Sequence, residues 1–156
     1  MGFNLHVVVL EHSSVDRLAV AGWLPSGASV STDEASHSWY DGIAAYESGG
    51  HVVLLDPAMQ LAGQTADLAT SLGTTVVSAT FGSTAEVHAY QVDGPDVSRL
   101  VVLQEGEVVE DRGEALPEEA GVRRDDGGED WLFDVLAARG HRLDLDVPDA
   151  AVLARG

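Results

Sequence analysis

"TVVSATFGSTAEVHAYQVDGPDVSRLVVLQEGEVVEDRG", residues 75–113, holds four short runs rich in β-branched and aromatic residues, separated by Gly-Ser, Asp-Gly-Pro-Asp and Glu-Gly. Each separator has the composition of a tight turn, and the apolar positions between them recur with a period of two, so the stretch predicts an antiparallel meander. In the third run Val97, Arg99, Val101 and Leu103 share one face while Leu100 and Val102 share the other. Apolar residues on both faces fit a sheet covered on one side by helices. The last run, with Glu107, Glu110 and Asp111, is expected at a sheet edge, where charge discourages pairing with other chains.

Upstream, "FNLHVVVLE" predicts a buried strand over about 3–11. A short helix should follow, capped by Ser13 or Ser14 and ended by Gly22. The small polar stretch 25–38 reads as a loop free to move. "WYDGIAAYE" and "HVVLLD" flank Ser48-Gly49-Gly50 as a hairpin, with Asp56-Pro57 closing the second strand. "QTADLATSL", residues 64–72, predicts a helix with Thr65 as its cap and Gly73 as its stop.

Downstream, Trp131, Leu132, Val135 and Leu136 form one stripe of an amphipathic helix ending at Gly140. The tail from Pro148, "PDAAVLAR", reads as a further short helix. A chain of 156 residues that is 45% hydrophobic is expected to form one domain over 1–156, burying roughly 70% of its unfolded surface. The expected architecture is α+β, a mostly antiparallel sheet of six or seven strands with helices packed on one face. An acidic connection over 112–130 joins the meander to the last helix.

Charge narrows the function classes. Against 26 acidic residues stand eight basic ones, all arginine, for a net charge of −18. A field of that sign repels phosphate backbones and anionic lipids, so neither nucleic acid nor membrane is expected as a partner. The missing lysine removes Schiff-base chemistry and a P-loop, and the missing cysteine removes thiolate catalysis and disulfides. "MGFNLHVVVLE" lacks a signal-peptide pattern, which points to cytoplasmic residence.

No spelled-out catalytic or cofactor motif is present, and no cofactor is expected. The six histidines, at 6, 12, 37, 51, 88 and 141, contain no H-E-x-x-H pair, and "DDGGED" lacks the alternating spacing of a calcium loop. Asp125, Asp126, Glu129 and Asp130 would hold at most a weak, adventitious divalent ion. Ser83, His88 and Asp56 would form a nucleophilic triad only if the fold converged them. Trp131 is expected in the core, and Trp23 and Trp39 are expected to pack at the ends of the 25–38 stretch. If either is exposed, it marks a partner surface.

Three segments carry a resemblance: "GGHVVLLDPAMQL" (49–61), "SLGTTVVSATFGSTAEVHAYQVDG" (71–94) and "RLVVLQEGEVVEDRGEALPEE" (99–119). Together they look like a loosely defined group of small acidic uncharacterised bacterial proteins, over about 38–136. The resemblance implies a bacterial cytoplasmic domain and supplies no catalytic residues. His51 departs from it, standing where that pattern tends to carry tryptophan.

The expectation that follows is a non-enzymatic binding protein whose acidic surface, with Glu114, Glu118, Glu119, Asp125 and Asp126 as contact residues, engages a basic protein in the manner of an antitoxin, immunity or regulatory partner. The alternatives are a small hydrolase or ligand-binding domain with a pocket near Asp56, His88 and residues 25–38, and a structural subunit of a homo-oligomer.

Overall fold

The computed structural model describes residues 4–122 and 128–155. Its centre is β1 (Asn4–Leu10), buried along nearly its whole length because both of its faces are covered. β1 pairs antiparallel with β4 (His51–Asp56) on one side and β5 (Val76–Gly82) on the other. From β5 the sheet continues through β6 (Val87–Gly94), β7 (Val97–Gln104) and β8 (Glu107–Arg112), the meander read from residues 75–113.

From β4 the sheet runs the other way, through β3 (Ile43–Ser48), β9 (Ala150–Arg155) and β2 (Trp23–Val30). Among the described residues the order is β2-β9-β3-β4-β1-β5-β6-β7-β8, nine strands with every neighbour antiparallel. The expected six or seven strands fall short by β2 and β9. The 25–38 stretch is not a loop: its first part lies in β2, and Thr32–Ala35 forms the short helix α1, with the Ser31 side chain accepting the Glu34 amide. As an outermost strand, β2 buries only Trp23 and Val30 and carries Pro25, so its polar composition hides it.

The tail is strand, not helix. Ala150 and Leu153, its buried residues, stand three apart and mimic a helical face, but the gap between β2 and β3 offers hydrogen-bonding partners on both sides.

Helices cover both faces of the sheet rather than one. On the first, Trp131, Leu132, Val135 and Leu136 of α3 (Gly128–Ala138) pack over Val7, Val9, Ala79, Phe81, Tyr90 and Val101. On the second, Leu18 from the 3₁₀ helix Val15–Ala21 and Leu68, Ala69 and Leu72 from α2 (Thr65–Leu72) cover Val8, Leu10, Val52, Leu54 and Val76. Gly73 ends α2 in the left-handed region, as expected, but Thr65 lies inside the helix and Gln64 takes the cap position. Among the described residues no helix is long and apolar enough to cross a membrane.

Candidate partner-binding surface

Of the five expected contact residues, Glu114 is exposed, and Asp125 and Asp126 lie outside the described residues. Glu118 and Glu119 turn inward. They belong to a 3₁₀ turn, Pro117–Glu119, that straps the acidic connection onto the first face of the sheet. Glu118 is buried and accepts hydrogen bonds from the Tyr90 hydroxyl and from Arg139 Nη1, each at 2.7 Å. Glu119 takes Arg99 in a two-point grip, at 2.9 and 2.7 Å, and also accepts the Leu116 amide.

Arg99 explains why the strap is acidic. It occupies a β7 position in line with Val101 and Leu103, so its guanidinium is buried. Asp111 and the Arg112 and Gly113 carbonyls supply further acceptors beside Glu119. At the other end of the strap, Arg139 reaches past Glu118 to Glu11, which also accepts from His141 at 2.5 Å. Burial alone would raise the Glu11 carboxyl, but the hydrogen bonds and charges of His141 and Arg139 outweigh it and bring it down to about 2. Burial and the adjacent Glu118 carboxylate push the Tyr90 hydroxyl far above its ordinary value.

The fold does not converge Ser83, His88 and Asp56 into a triad. Asp56 lies on the second face, fully buried, accepting the Gln60 and Leu61 amides at 2.9 and 2.8 Å and standing 3.3 Å from His6 Nδ1. His88 lies on the first face, edge-on to Phe81. Ser83 sits in the turn between β5 and β6, and β2 is separated from β6 by five strands. Among the described residues, no group of three His, Asp or Glu side chains is placed to hold a metal ion.

The tryptophans divide. Trp131 is fully buried, as expected, and Trp23 is buried with Arg155 over its ring at 4.7 Å. Trp39, expected to pack, is 66% exposed. Its neighbour Tyr40 takes the inward place, packing against the first core with its ring closed over Gly42, where a Cβ would collide with it. Trp39 is thereby turned to solvent, stacked on His37 at 5.5 Å and edge-on to Tyr40.

Carboxylates lie near this aromatic group. Asp33 lies 3.9 Å from His37, and Glu34 and Asp41 are close enough to Tyr40 to add to the rise that burial imposes on its hydroxyl. Beside them runs the segment 141–149, held to α1 by the Thr32 amide donating to the Val147 carbonyl (2.8 Å) and the Val147 amide donating to Thr32 Oγ1 (3.0 Å). That segment adds exposed Asp144, Asp146 and Asp149 against one exposed cation, Arg142. An exposed indole flanked by carboxylates can take the aliphatic stem and cation of an arginine or lysine together. The signal in the sequence was "SHSWYDG", two aromatics in a polar stretch, which cannot both face the core from adjacent positions.

Comparison of the chain with protein-family models, with curated proteins and with solved structures finds no match.

Proposed function

We propose that the protein is a binding protein that engages a basic protein through its acidic surface, in the manner of an antitoxin, immunity or regulatory partner, with Trp39 as the anchor. The exposure of Trp39 carries the reading. A large aromatic side chain normally removes its area from water within its own fold, and one left outside is the residue type on which binding energy concentrates. Asp33, Glu34 and Asp41 near this aromatic group, with the excess of acidic residues on the 141–149 segment, would select a positive partner and speed the encounter. Glu118 and Glu119 support this role indirectly, by holding Arg99 and Arg139 inside and so keeping positive charge off the surface.

The test is capture from a lysate of the source cells at low and at moderate salt, followed by titration calorimetry with the purified captured protein. Trp39→Ala should weaken a genuine partner at least about tenfold while leaving stability within about 0.5 kcal/mol. Asp33→Asn with Glu34→Gln and Asp41→Asn should slow association and flatten the salt dependence. A parallel variant, Glu114→Gln with Asp125→Asn and Asp126→Asn, asks whether the acidic connection is the contact instead. Identical capture by all of these proteins would reject a charge-steered partner.

A further inference from the structure

On the second face of the sheet, remote in sequence from Trp39, a cavity of about 490 Å³ opens between α2 and the β6–β7 turn. Ala66, Ala69 and Thr70 of the helix form one wall, and Asp93, Pro95 and Ser98 form the other. The space exists because the helix presents small residues there and then stops at Gly73, whose φ of +63° disfavours any side chain. The volume falls within the range of small-molecule sites, which combine apolar walls with a few placed polar groups.

Asp93 is the charged group on that wall. Its Oδ2 accepts both the Thr65 hydroxyl, at 2.8 Å, and the Gln91 side-chain amide, at 3.0 Å. Two neutral donors fix the carboxylate's orientation. Oδ1 has no hydrogen-bond partner among the described residues. Among the described residues none lining the cavity is basic, and Arg17, which reaches the end of α2, is directed at the Leu72 carbonyl. A carboxylate beside short apolar walls, in a protein of net charge −18, disfavours an anion and leaves a neutral ligand without a counterpart for the charge.

We infer that this cavity is a binding site for a small aliphatic amine, with Asp93 as the counter-ion of its ammonium group and Ala66, Ala69 and Pro95 against its hydrocarbon chain. An ammonium has three protons to place. Asp93 Oδ1 takes one, and the hydroxyls of Thr70 and Ser98, on the same walls, are the further acceptors. The inference stands apart from the Trp39 surface and survives or fails without it.

The experiment is a titration of the ¹⁵N-labelled full chain with n-butylammonium, its neutral counterpart n-butanol and its anionic counterpart butyrate, at constant ionic strength, followed by amide chemical shifts. Saturable shifts confined to Thr70, Gly73, Gly94 and Val97 are expected with butylammonium, with binding at least about tenfold weaker for butanol and none for butyrate. Asp93→Asn should weaken butylammonium at least about tenfold. Because Asp93 also tethers α2 through Thr65, Ala66→Leu provides a second variant, filling the cavity from an exposed helix position without touching that hydrogen bond. It should abolish the same shifts. Equal affinity for butanol, unsaturable shifts spread over the acidic surface, or binding unchanged in Ala66→Leu would overturn the assignment.

Discussion

Arg139 and Glu11, 128 positions apart in the chain, meet in a two-point ion pair, Nε to Oε2 at 2.7 Å and Nη2 to Oε1 at 3.0 Å. The same guanidinium holds Glu118, so one side chain ties the end of β1, the end of α3 and the acidic strap together. Arg139→Met keeps the length of the side chain but removes the guanidinium from two carboxylates, leaving Glu11 with His141 and Glu118 with the Tyr90 hydroxyl. The expected loss is about 2–4 kcal/mol in urea denaturation, below the most severe cases because 21% of the Arg139 side chain still meets water. A loss under about 0.5 kcal/mol would show that the pair is solvated and incidental.

Acid should lower the protein's stability in two steps. Burial, and then the neighbouring His141 and His12 rings, hold His51 below the ordinary histidine value of 6.5, with Glu11 acting in the opposite direction. A depressed histidine stabilises the fold above its ordinary value, and that contribution is lost as pH falls through 6.5 toward the folded value. Glu11, held at about 2 against an ordinary 4.5, contributes stability on the order of 3 kcal/mol that disappears between those two values. Urea midpoints recorded from pH 8 to pH 3 should show both declines, and His51→Gln should flatten the upper one alone.

Arg99→Lys should behave as a disruptive change despite conserving charge. A lysine ammonium cannot reproduce the two-point grip on Glu119 together with the contacts to Asp111 and the Gly113 carbonyl. The expected cost is about 1–3 kcal/mol, with faster hydrogen exchange concentrated at residues 113–120. Uniform exchange across the chain would mean that the strap is not what Arg99 holds.

Gly128→Ala inverts the usual helix rule. Alanine is the better helix former by about 1 kcal/mol, yet a Cβ at this position would collide with the imidazole of His88. Destabilisation of about 1–3 kcal/mol is therefore expected, and His88→Ala in the same chain should recover part of it.

The meander, the β3–β4 hairpin and the stripe on α3 were legible because their burial follows a simple period. β6 alternates between buried and half-exposed residues along most of its length, and the stripe from Trp131 to Leu136 is the buried side of α3. β2 and β9 were not legible. Their identity as strands comes from the partners beside them, and neither carries a clear period of two. The acidic connection failed as a guide for a related reason. Composition counts Glu118 and Glu119 as surface charge, and only the chain's path shows that Arg99 and Arg139 need them inside. Trp39 and Asp93 owe their significance to neighbours as well: the inward turn of Tyr40 and the small wall of α2.

Both outermost strands carry extra residues relative to the strand they pair with. In β2 the register jumps between Pro25 and Ser29 while β9 advances only from Leu153 to Ala151, and in β8 Val109 has no counterpart between Val102 and Leu103 of β7. Such irregularities curl a strand away from the flat template that a further strand would need. The sheet thus terminates itself at each end, so stacking copies edge to edge into a continuous ribbon would demand remodelling those strands first. Crowded solutions of this protein should resist fibril growth seeded from the native state for reasons of shape, even when salt has screened its charge.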